Sequence, residues 1–147
     1  MKEFMREALE EAKKAEALGE VPVGAVVVYK NEIIARAHNT VEKDKDVSAH
    51  AEILAIKKAA KVISDWRLNE ASLFVTLEPC LMCLGAILHA RVKELYFGAY
   101  DERQGAVGSL FDLSRDKQLP HQIEVYPEVM AEESKEILQR FFKNLRK

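Results

Sequence analysis

Two short stretches organise the rest of this chain: Ser48-Ala49-His50-Ala51-Glu52 and Glu78-Pro79-Cys80-Leu81-Met82-Cys83. Each stretch is predicted to open a helix that follows a strand or a loop. Cys80 and Cys83 are three residues apart at a helix start, so both sulfur atoms face the same way, and the helix N-terminus favours their thiolate forms. His50 lies on the first turn of the preceding helix, and Glu52 follows two residues later. The two stretches therefore supply three potential metal ligands and, in Glu52, a carboxylate close to one of them.

These residue types predict a catalytic zinc site. The ligands would be His50, Cys80 and Cys83, and the sequence offers no further cysteine or closely spaced histidine to complete a four-ligand structural site. A zinc ion with three protein ligands keeps a position for water and lowers the pKa of that water towards neutrality. Glu52 lies close to the metal without needing to bind it, and it can take the proton of the water and return it to a substrate. This chemistry is hydrolytic deamination of an amidine-like carbon.

Either motif alone has an ordinary explanation. A single C-x-x-C is commonly structural or redox-active, and a single H-x-E occurs on helices by chance. A thioredoxin-like redox role leaves His50 and Glu52 without a purpose. Both motifs in this order, about thirty residues apart, match the known signature of zinc-dependent nucleobase deaminases.

The composition predicts a single globular domain, residues 1–147. The chain is 48% hydrophobic and 31% charged, which is enough apolar material for one buried core. Its 2 cysteines exclude a disulfide-stapled secreted scaffold. Because neither a secretory signal nor a run of about 20 apolar residues is evident, we expect no membrane segment and a cytoplasmic location. The net charge of -2 provides no long-range positive field for nucleic acid, so any RNA contact must rest on local features.

Hydrophobic periodicity predicts a mixed α/β order. Helices are predicted at residues 2–18, 49–63, 80–90 and 128–145, and strands at residues 21–29, 32–38, 72–77, 92–99 and 123–126. Residues 41–47 and 100–120 read as loops, and Ser48 as the N-cap of the second helix. The expected fold is a three-layer α/β/α domain with a mixed five-stranded sheet.

From these residues the chain resembles the cytidine deaminase superfamily and, within it, the bacterial tRNA adenosine deaminases, which convert adenosine to inosine at the anticodon wobble position. The matching stretches run nearly end to end. They are Glu20-Val21-Pro22-Val23-Gly24-Ala25, His38-Asn39, Ala49-His50-Ala51-Glu52-Ile53, Thr76-Leu77-Glu78-Pro79-Cys80-Leu81-Met82-Cys83, Gly105-Ala106-Val107-Gly108-Ser109-Leu110 and Phe141-Phe142. The zinc motif is typical of the superfamily, and the other stretches narrow the resemblance to the tRNA enzymes.

The resemblance implies a cytidine deaminase-like fold, one zinc ion per subunit and a tRNA anticodon stem-loop as partner. It also implies a homodimer whose interface uses the apolar face of the helix at residues 80–90. Asn39 would hydrogen-bond a flipped-out adenine, Val21 and Leu77 would form apolar walls, and Asp101 would contact the ribose of a neighbouring nucleotide. Simpler explanations stay open: a turn residue for Asn39, plain core for Val21 and Leu77, and a loop cap for Asp101.

The last predicted helix offers local features for RNA contact. Phe141 and Phe142 point about 100 degrees apart, so one ring, which we take to be that of Phe142, is left to stack on a base. Positive charge near this terminus comes from Arg140, Lys143, Arg146 and Lys147.

The sequence is also compatible with two rival functions. A free-base or nucleoside deaminase, acting for example on guanine or cytosine, would use the same metal chemistry on a small molecule. A non-catalytic zinc-binding subunit that partners an active deaminase would be expected to lack the proton shuttle, yet Glu52 is present. We expect His89 and His121 to be ordinary histidines and not further ligands.

Overall fold

The computed structural model describes residues 1–145 of the chain and builds them around one sheet. The elements are α1 (Lys2–Ala17), β1 (Gly24–Tyr29), β2 (Glu32–His38), α2 (Val41–Asp44), α3 (Ala51–Ile63), β3 (Ser72–Leu77), α4 (Leu81–His89), β4 (Glu94–Ala99), a 3-10 turn (Leu113–Arg115), β5 (Glu124–Tyr126) and α5 (Ala131–Leu145). The strand order is β2-β1-β3-β4-β5, with β1 antiparallel to β2 and β3, and with β3, β4 and β5 parallel. The expected mixed five-stranded sheet is confirmed.

Helices cover both faces of this sheet. Helices α1 and α5 contact each other over one face, whereas α3 and α4 contact each other over the opposite face. Val26 of β1 packs with α1, whereas its neighbours Ala25 and Val27 belong to the cluster formed with α3 and α4. Burial on both faces explains why β1 is an almost continuous apolar run and not an alternating one. Among the described residues, no helix is both long and apolar enough to cross a bilayer.

A buried carboxylate connects α1 to β2. Glu11 is 3% exposed, with one carboxylate oxygen 2.9 Å from His38 Nδ1 and the other 2.7 Å from Lys14 Nζ. Burial opposes the charged form of Glu11, but the hydrogen bonds with Lys14 and His38 outweigh burial and lower its pKa. The fold is therefore more stable with Glu11 ionised than with Glu11 protonated.

We expect Glu11→Gln to lower the free energy of unfolding at pH 7 by about 1–3 kcal/mol, because buried hydrogen bonds to a charged group are lost. Since the pKa of Glu11 is lowered on folding, its contribution is present above the unfolded pKa and is lost as pH falls through the folded pKa. Denaturant unfolding from pH 7 to pH 3 measures both effects. The matched control is Glu10→Gln, because Glu10 forms a similar but exposed pair with Lys13 on the same helix. Equal losses in the two variants would contradict the prediction.

The start of α3 differs from the sequence prediction. Ser48 was expected to be the N-cap, but its hydroxyl donates to Asp46 Oδ1 at 2.7 Å, and His50 is the capping residue, with an extended backbone. The side chain that bonds the first turn comes from a neighbouring strand end, because Ala51 N–H donates to Asn39 Oδ1 at 2.8 Å. A side chain distant in sequence therefore fills the role usually given to a local serine.

Other boundaries also shift. Residues 41–47 were expected to be a loop, but Val41–Asp44 form α2, whose Glu42 and Lys43 N–H groups donate to the carboxylate of Glu20. The final helix begins at Ala131 and not at residue 128, because Glu128 and Met130 adopt left-handed backbone angles that interrupt a helix. The first and fourth strands begin later than predicted, and residues 100–120 include the 3-10 turn.

Candidate active site

The three predicted ligands meet at the starts of two neighbouring helices. His50 caps α3, Cys80 caps α4, and Cys83 lies in the first turn of α4. His50 Nδ1 lies 3.4 Å from Cys83 Sγ and 3.8 Å from Cys80 Sγ, and the three donor atoms all lie within 4.8 Å of one another. Cys83 is fully buried and the other two are half-buried, so the donor group opens towards one side.

The donor group fits zinc by geometry and by chemistry. Tetrahedral zinc places a nitrogen and a sulfur ligand about 3.6 Å apart, which both measured nitrogen–sulfur distances approach. Hydrogen bonding from the Cys83 thiol lowers the pKa of Cys80 to about 4, with help from His50. The same hydrogen bond, together with burial, raises the pKa of Cys83. Protein groups alone thus stabilise one thiolate, and a divalent cation bound by both sulfurs would stabilise the second.

Glu52 lies beside the donor group in the interior. Its side chain is almost fully buried on the first turn of α3, and burial raises its pKa to about 7, although hydrogen bonding and His50 partly oppose this rise. A carboxyl group with such a pKa both accepts and donates protons near neutral pH. Its position beside the three candidate ligands suits a proton shuttle.

A cleft of about 830 Å³ opens from this donor group to the surface. Its lining includes all of the residues that the sequence assigned to substrate contact, together with Glu52, His50 and Cys80. These substrate-contact residues are Val21, Asn39, Leu77, Asp101 and Phe142. The structure therefore brings the predicted site together from α3, α4, α5, the end of β2 and the segment after β4.

The predicted substrate-contact residues differ in their exposure and hydrogen bonding. Asn39 is 8% exposed and its Oδ1 accepts the Ala51 N–H bond, so its amide nitrogen remains for another partner. Val21 is 37% exposed and Leu77 is half-buried, so both present apolar surface to the cleft in addition to packing. Asp101 Oδ1 accepts the Arg103 N–H at 3.1 Å, which is the loop-capping arrangement considered above.

One of the two aromatic rings on the final helix is exposed at the cleft. Phe141 is 8% exposed and packs edge-on against Phe142, which is 38% exposed at the cleft. The expected positive charge here is smaller than predicted, because Arg140 pairs with both carboxylate oxygens of Glu16 at 2.8 and 2.7 Å. Lys143 is exposed on α5. The remaining two cations of the prediction, Arg146 and Lys147, lie outside the described residues.

Sequence reasoning assigned no role to two buried carboxylates at the cleft. Glu20 and Glu78 are both 2% exposed, and both accept backbone N–H bonds from the segments that form the cleft rim. The signal that could have found them is an acidic residue directly beside an apolar strand, as in Glu20-Val21 and Leu77-Glu78.

Known proteins are similar to this chain in sequence and in fold. The family of MafB19-like deaminases matches residues 1–146. A tRNA-specific adenosine deaminase of Bacillus subtilis (strain 168) is 50% identical over 144 residues, which cover 98% of this chain and 89% of that protein. A structure from a study of A-to-I editing by tRNA:A34 deaminases superimposes with a TM-score of 0.91 at 43% identity, covering 94% of this chain and 100% of that one. A guanine deaminase from Bacillus subtilis has a TM-score of 0.64 at 40% identity, covering 67% of this chain and 63% of that one.

The fold and the site define a deaminase of the cytidine deaminase superfamily. Within this class, the chain belongs to the family of tRNA-specific adenosine deaminases, and it is an enzyme. The resemblance seen in the sequence is thereby confirmed at the level of family and fold.

Proposed function

We propose that this enzyme deaminates adenosine to inosine by hydrolysis at the wobble position of a tRNA anticodon, using one zinc ion per subunit. The observation that supports this proposal most strongly is the composition of the cleft. A single cavity of about 830 Å³ connects the donor group and Glu52 with Asn39, Asp101 and the exposed ring of Phe142. That volume is much larger than a purine and suits a base together with its neighbouring nucleotides.

In this proposal His50, Cys80 and Cys83 would hold the zinc ion, which would supply a water with a pKa near neutrality. Glu52 takes a proton from the attacking water and delivers it to a ring nitrogen of adenine. The water oxygen bonds to the carbon that bears the amino group. Glu52 then passes the second proton to the amine, which leaves as ammonia, and the remaining base is that of inosine. Burial of Glu52 keeps this proton exchange away from bulk solvent.

The direct test uses an anticodon stem-loop with adenosine at the wobble position. We expect inosine to form in this RNA, and we expect free guanine, cytosine and adenosine to be turned over far more slowly. The control RNA has the adenosine one position away in the same loop. Turnover of the free bases without inosine formation would favour the small-molecule deaminase and contradict the proposal.

We further propose a cytoplasmic homodimer, formed through the outer face of α4. Leu81 is 56% exposed and Met82 38% exposed on this face, and an apolar groove of about 190 Å³ runs beside them. The groove is lined by Leu81, Leu84, Gly85, Leu88, His89, Leu113, Leu119 and Pro120. Sedimentation velocity measures the oligomeric state, and a monomer at micromolar concentration would contradict this part of the proposal.

Asn39→Asp is expected to lower kcat/KM by about tenfold to a hundredfold, because the amide donor to a ring nitrogen of adenine is replaced by an acceptor oxygen. The acceptor for Ala51 N–H is retained, and an acidic group at the start of α3 is favourable, so the melting temperature should change little. Steady-state kinetics on the stem-loop and thermal unfolding measure the two effects. The matched control is Asn69→Asp, which makes the same change at an exposed loop position. A kcat/KM equal to that of this control would contradict the role of Asn39.

Phe142→Ala is expected to weaken binding of the stem-loop roughly 5- to 150-fold, the cost of losing one base–aromatic stack. Fluorescence anisotropy with labelled RNA measures the dissociation constant. The matched control is Trp66→Ala, because Trp66 is also an exposed aromatic residue, 53% accessible, but is not part of the cleft lining. Equal affinities for these two variants would show that Phe142 does not stack on RNA.

A further inference from the structure

Glu78 is buried at the centre of a loop and is surrounded by hydrogen-bond donors. It lies between the end of β3 and the ligand Cys80, and it is 2% exposed. Its Oε1 accepts the Asp101 N–H at 2.9 Å, and its Oε2 accepts the Val107 N–H at 2.8 Å and the Ser109 N–H at 3.1 Å. The hydroxyl of Ser109 donates to Oε1 as well. Within residues 1–145, no lysine or arginine lies at ion-pair distance from this carboxylate, so its charge is balanced by loop dipoles.

The loop closes around this carboxylate. A Cβ on Gly105 would overlap the Glu78 carboxylate, so only glycine permits the observed approach. Gly105 N–H donates to the Asp101 carbonyl oxygen at 2.8 Å, and Ala106 N–H donates to the Pro79 carbonyl oxygen at 2.9 Å. Residues 101–109 therefore form a turn that surrounds one buried carboxylate. We refer to these residues as the rim loop.

The rim loop also forms one wall of the cleft. Asp101, Arg103 and Gln104 line the cavity, and Tyr100, which precedes the loop, lines it too. The ring of Tyr100 packs edge-on against Phe97 with centroids 5.1 Å apart, which ties the beginning of the wall to β4. The remainder of the wall is held by the hydrogen bonds to Glu78 together with the backbone bonds of the loop. A change in those bonds would move Asp101 directly, because its own N–H is one of the donors.

We infer that Glu78 is a positioning residue for substrate binding. Its carboxylate holds the rim loop in place, so that Asp101 and Arg103 meet the nucleotides beside the reacting base. It acts neither on the metal nor on proton transfer. The part of this inference that concerns RNA rests on the function proposed above.

Glu78→Gln tests the inference with almost no change in volume. Each carboxylate oxygen accepts at least one backbone N–H, so the amide NH₂ group must face a backbone donor and at least one loop bond is lost. We expect KM for the stem-loop to rise about tenfold or more. We expect kcat to stay within about threefold of the unmodified enzyme and the zinc content per chain to be unchanged. Backbone amide exchange at residues 101, 107 and 109 should become at least about tenfold faster, as local opening becomes easier.

Two further variants keep the charge of Glu78. Gly105→Ala places a methyl group against the carboxylate and should reproduce the rise in KM. Ser109→Ala removes one of the donors and should raise KM less than Glu78→Gln does. These variants decide the question if Glu78→Gln does not fold. The matched control is Glu11→Gln, which removes another buried carboxylate, on α1, and should lower stability without changing KM.

An unchanged KM in Glu78→Gln and Gly105→Ala would overturn the inference, as would a loss of zinc with a parallel fall in kcat. The unmodified enzyme is assayed first. If it forms no inosine in the stem-loop, the proposed function fails and the RNA part of the inference fails with it. Amide exchange in the rim loop needs no substrate, so it decides separately whether Glu78 anchors the loop: unchanged exchange in Glu78→Gln would overturn that anchoring.

Discussion

Glu52→Gln is expected to lower kcat for inosine formation by at least about a thousandfold, while one zinc ion per chain remains bound. Glutamine has nearly the same shape as glutamate but cannot accept a proton from water or return it to the base. The proposed mechanism needs two such transfers, and Glu52 is a buried carboxyl group beside the donor group. Since glutamine leaves His50 and the two cysteines in place, metal binding and catalysis should separate cleanly in this variant.

Metal analysis and single-turnover assays on the stem-loop measure these two quantities. Glu10→Gln, an exposed substitution on α1, serves as the matched control and should keep full activity. Activity within about tenfold of the unmodified enzyme would remove Glu52 from the mechanism. A loss of zinc would instead assign Glu52 to the metal site.

Glu52→Gln is also expected to change the stability of the metal-free protein. Burial raises the pKa of Glu52 to about 7, so the folded state disfavours its charged form. Because the unfolded chain ionises this group near its ordinary pKa, stability falls as pH rises towards 7 and the full cost is present above that pH. We therefore expect the glutamine variant to be at least as stable as the unmodified metal-free protein above pH 7. Such a gain in stability with loss of activity is common at active sites.

Cys80→Ala and His50→Ala are expected to reduce activity to background, because each leaves two ligands where three converge. Zinc affinity should fall by more than about a hundredfold, since loss of a residue that only hydrogen-bonds to a ligand already costs about tenfold to a hundredfold. Zinc per chain and inosine formation measure both effects. Removal of metal from the unmodified enzyme by a chelator should abolish activity, and added zinc should restore it.

His121→Ala is the matched control for the ligand variants. The ring of His121 lies 3.2 Å from the Val92 carbonyl oxygen through Nε2, away from the donor group, so zinc and activity should persist. Full activity in His50→Ala would favour a role for the two cysteines without the histidine, such as a redox function, and would contradict the proposed metal site. Activity that survives complete removal of zinc would contradict it as well.

Local spacing accounts for the part of the candidate site that the sequence could place in advance. Cys80 and Cys83 are one helical turn apart, and His50 and Glu52 lie together at one helix start, so neighbours in the chain already share a direction. The almost continuous apolar run of β1 is likewise a local pattern, and it is the one that burial on both faces of a sheet produces. Family resemblance added Asn39, Val21, Leu77, Asp101 and Phe142, all of which line the same cleft.

Long-range contacts account for what the sequence did not predict. Asn39, and not Ser48, bonds the first turn of α3, and Arg140 is paired with Glu16 across 124 residues. The donors to Glu78 come from residues 23 to 31 positions further along the chain. Such contacts produce no periodicity in hydrophobicity and no local spacing that could be read in advance.

The sequence by itself therefore determined the candidate metal-ligand set, the candidate proton shuttle and the mixed α/β order, because these depend on residues one helical turn apart or on strand periodicity. Only the tertiary structure decided that His50 Nδ1 and Cys83 Sγ lie 3.4 Å apart, that Arg140 is neutralised and that the rim loop closes on Glu78. The physical reason is that packing of the sheet against its helices sets the distances between elements. The types of residue at this site thus follow from short stretches of sequence, whereas the shape of the cleft depends on the whole fold.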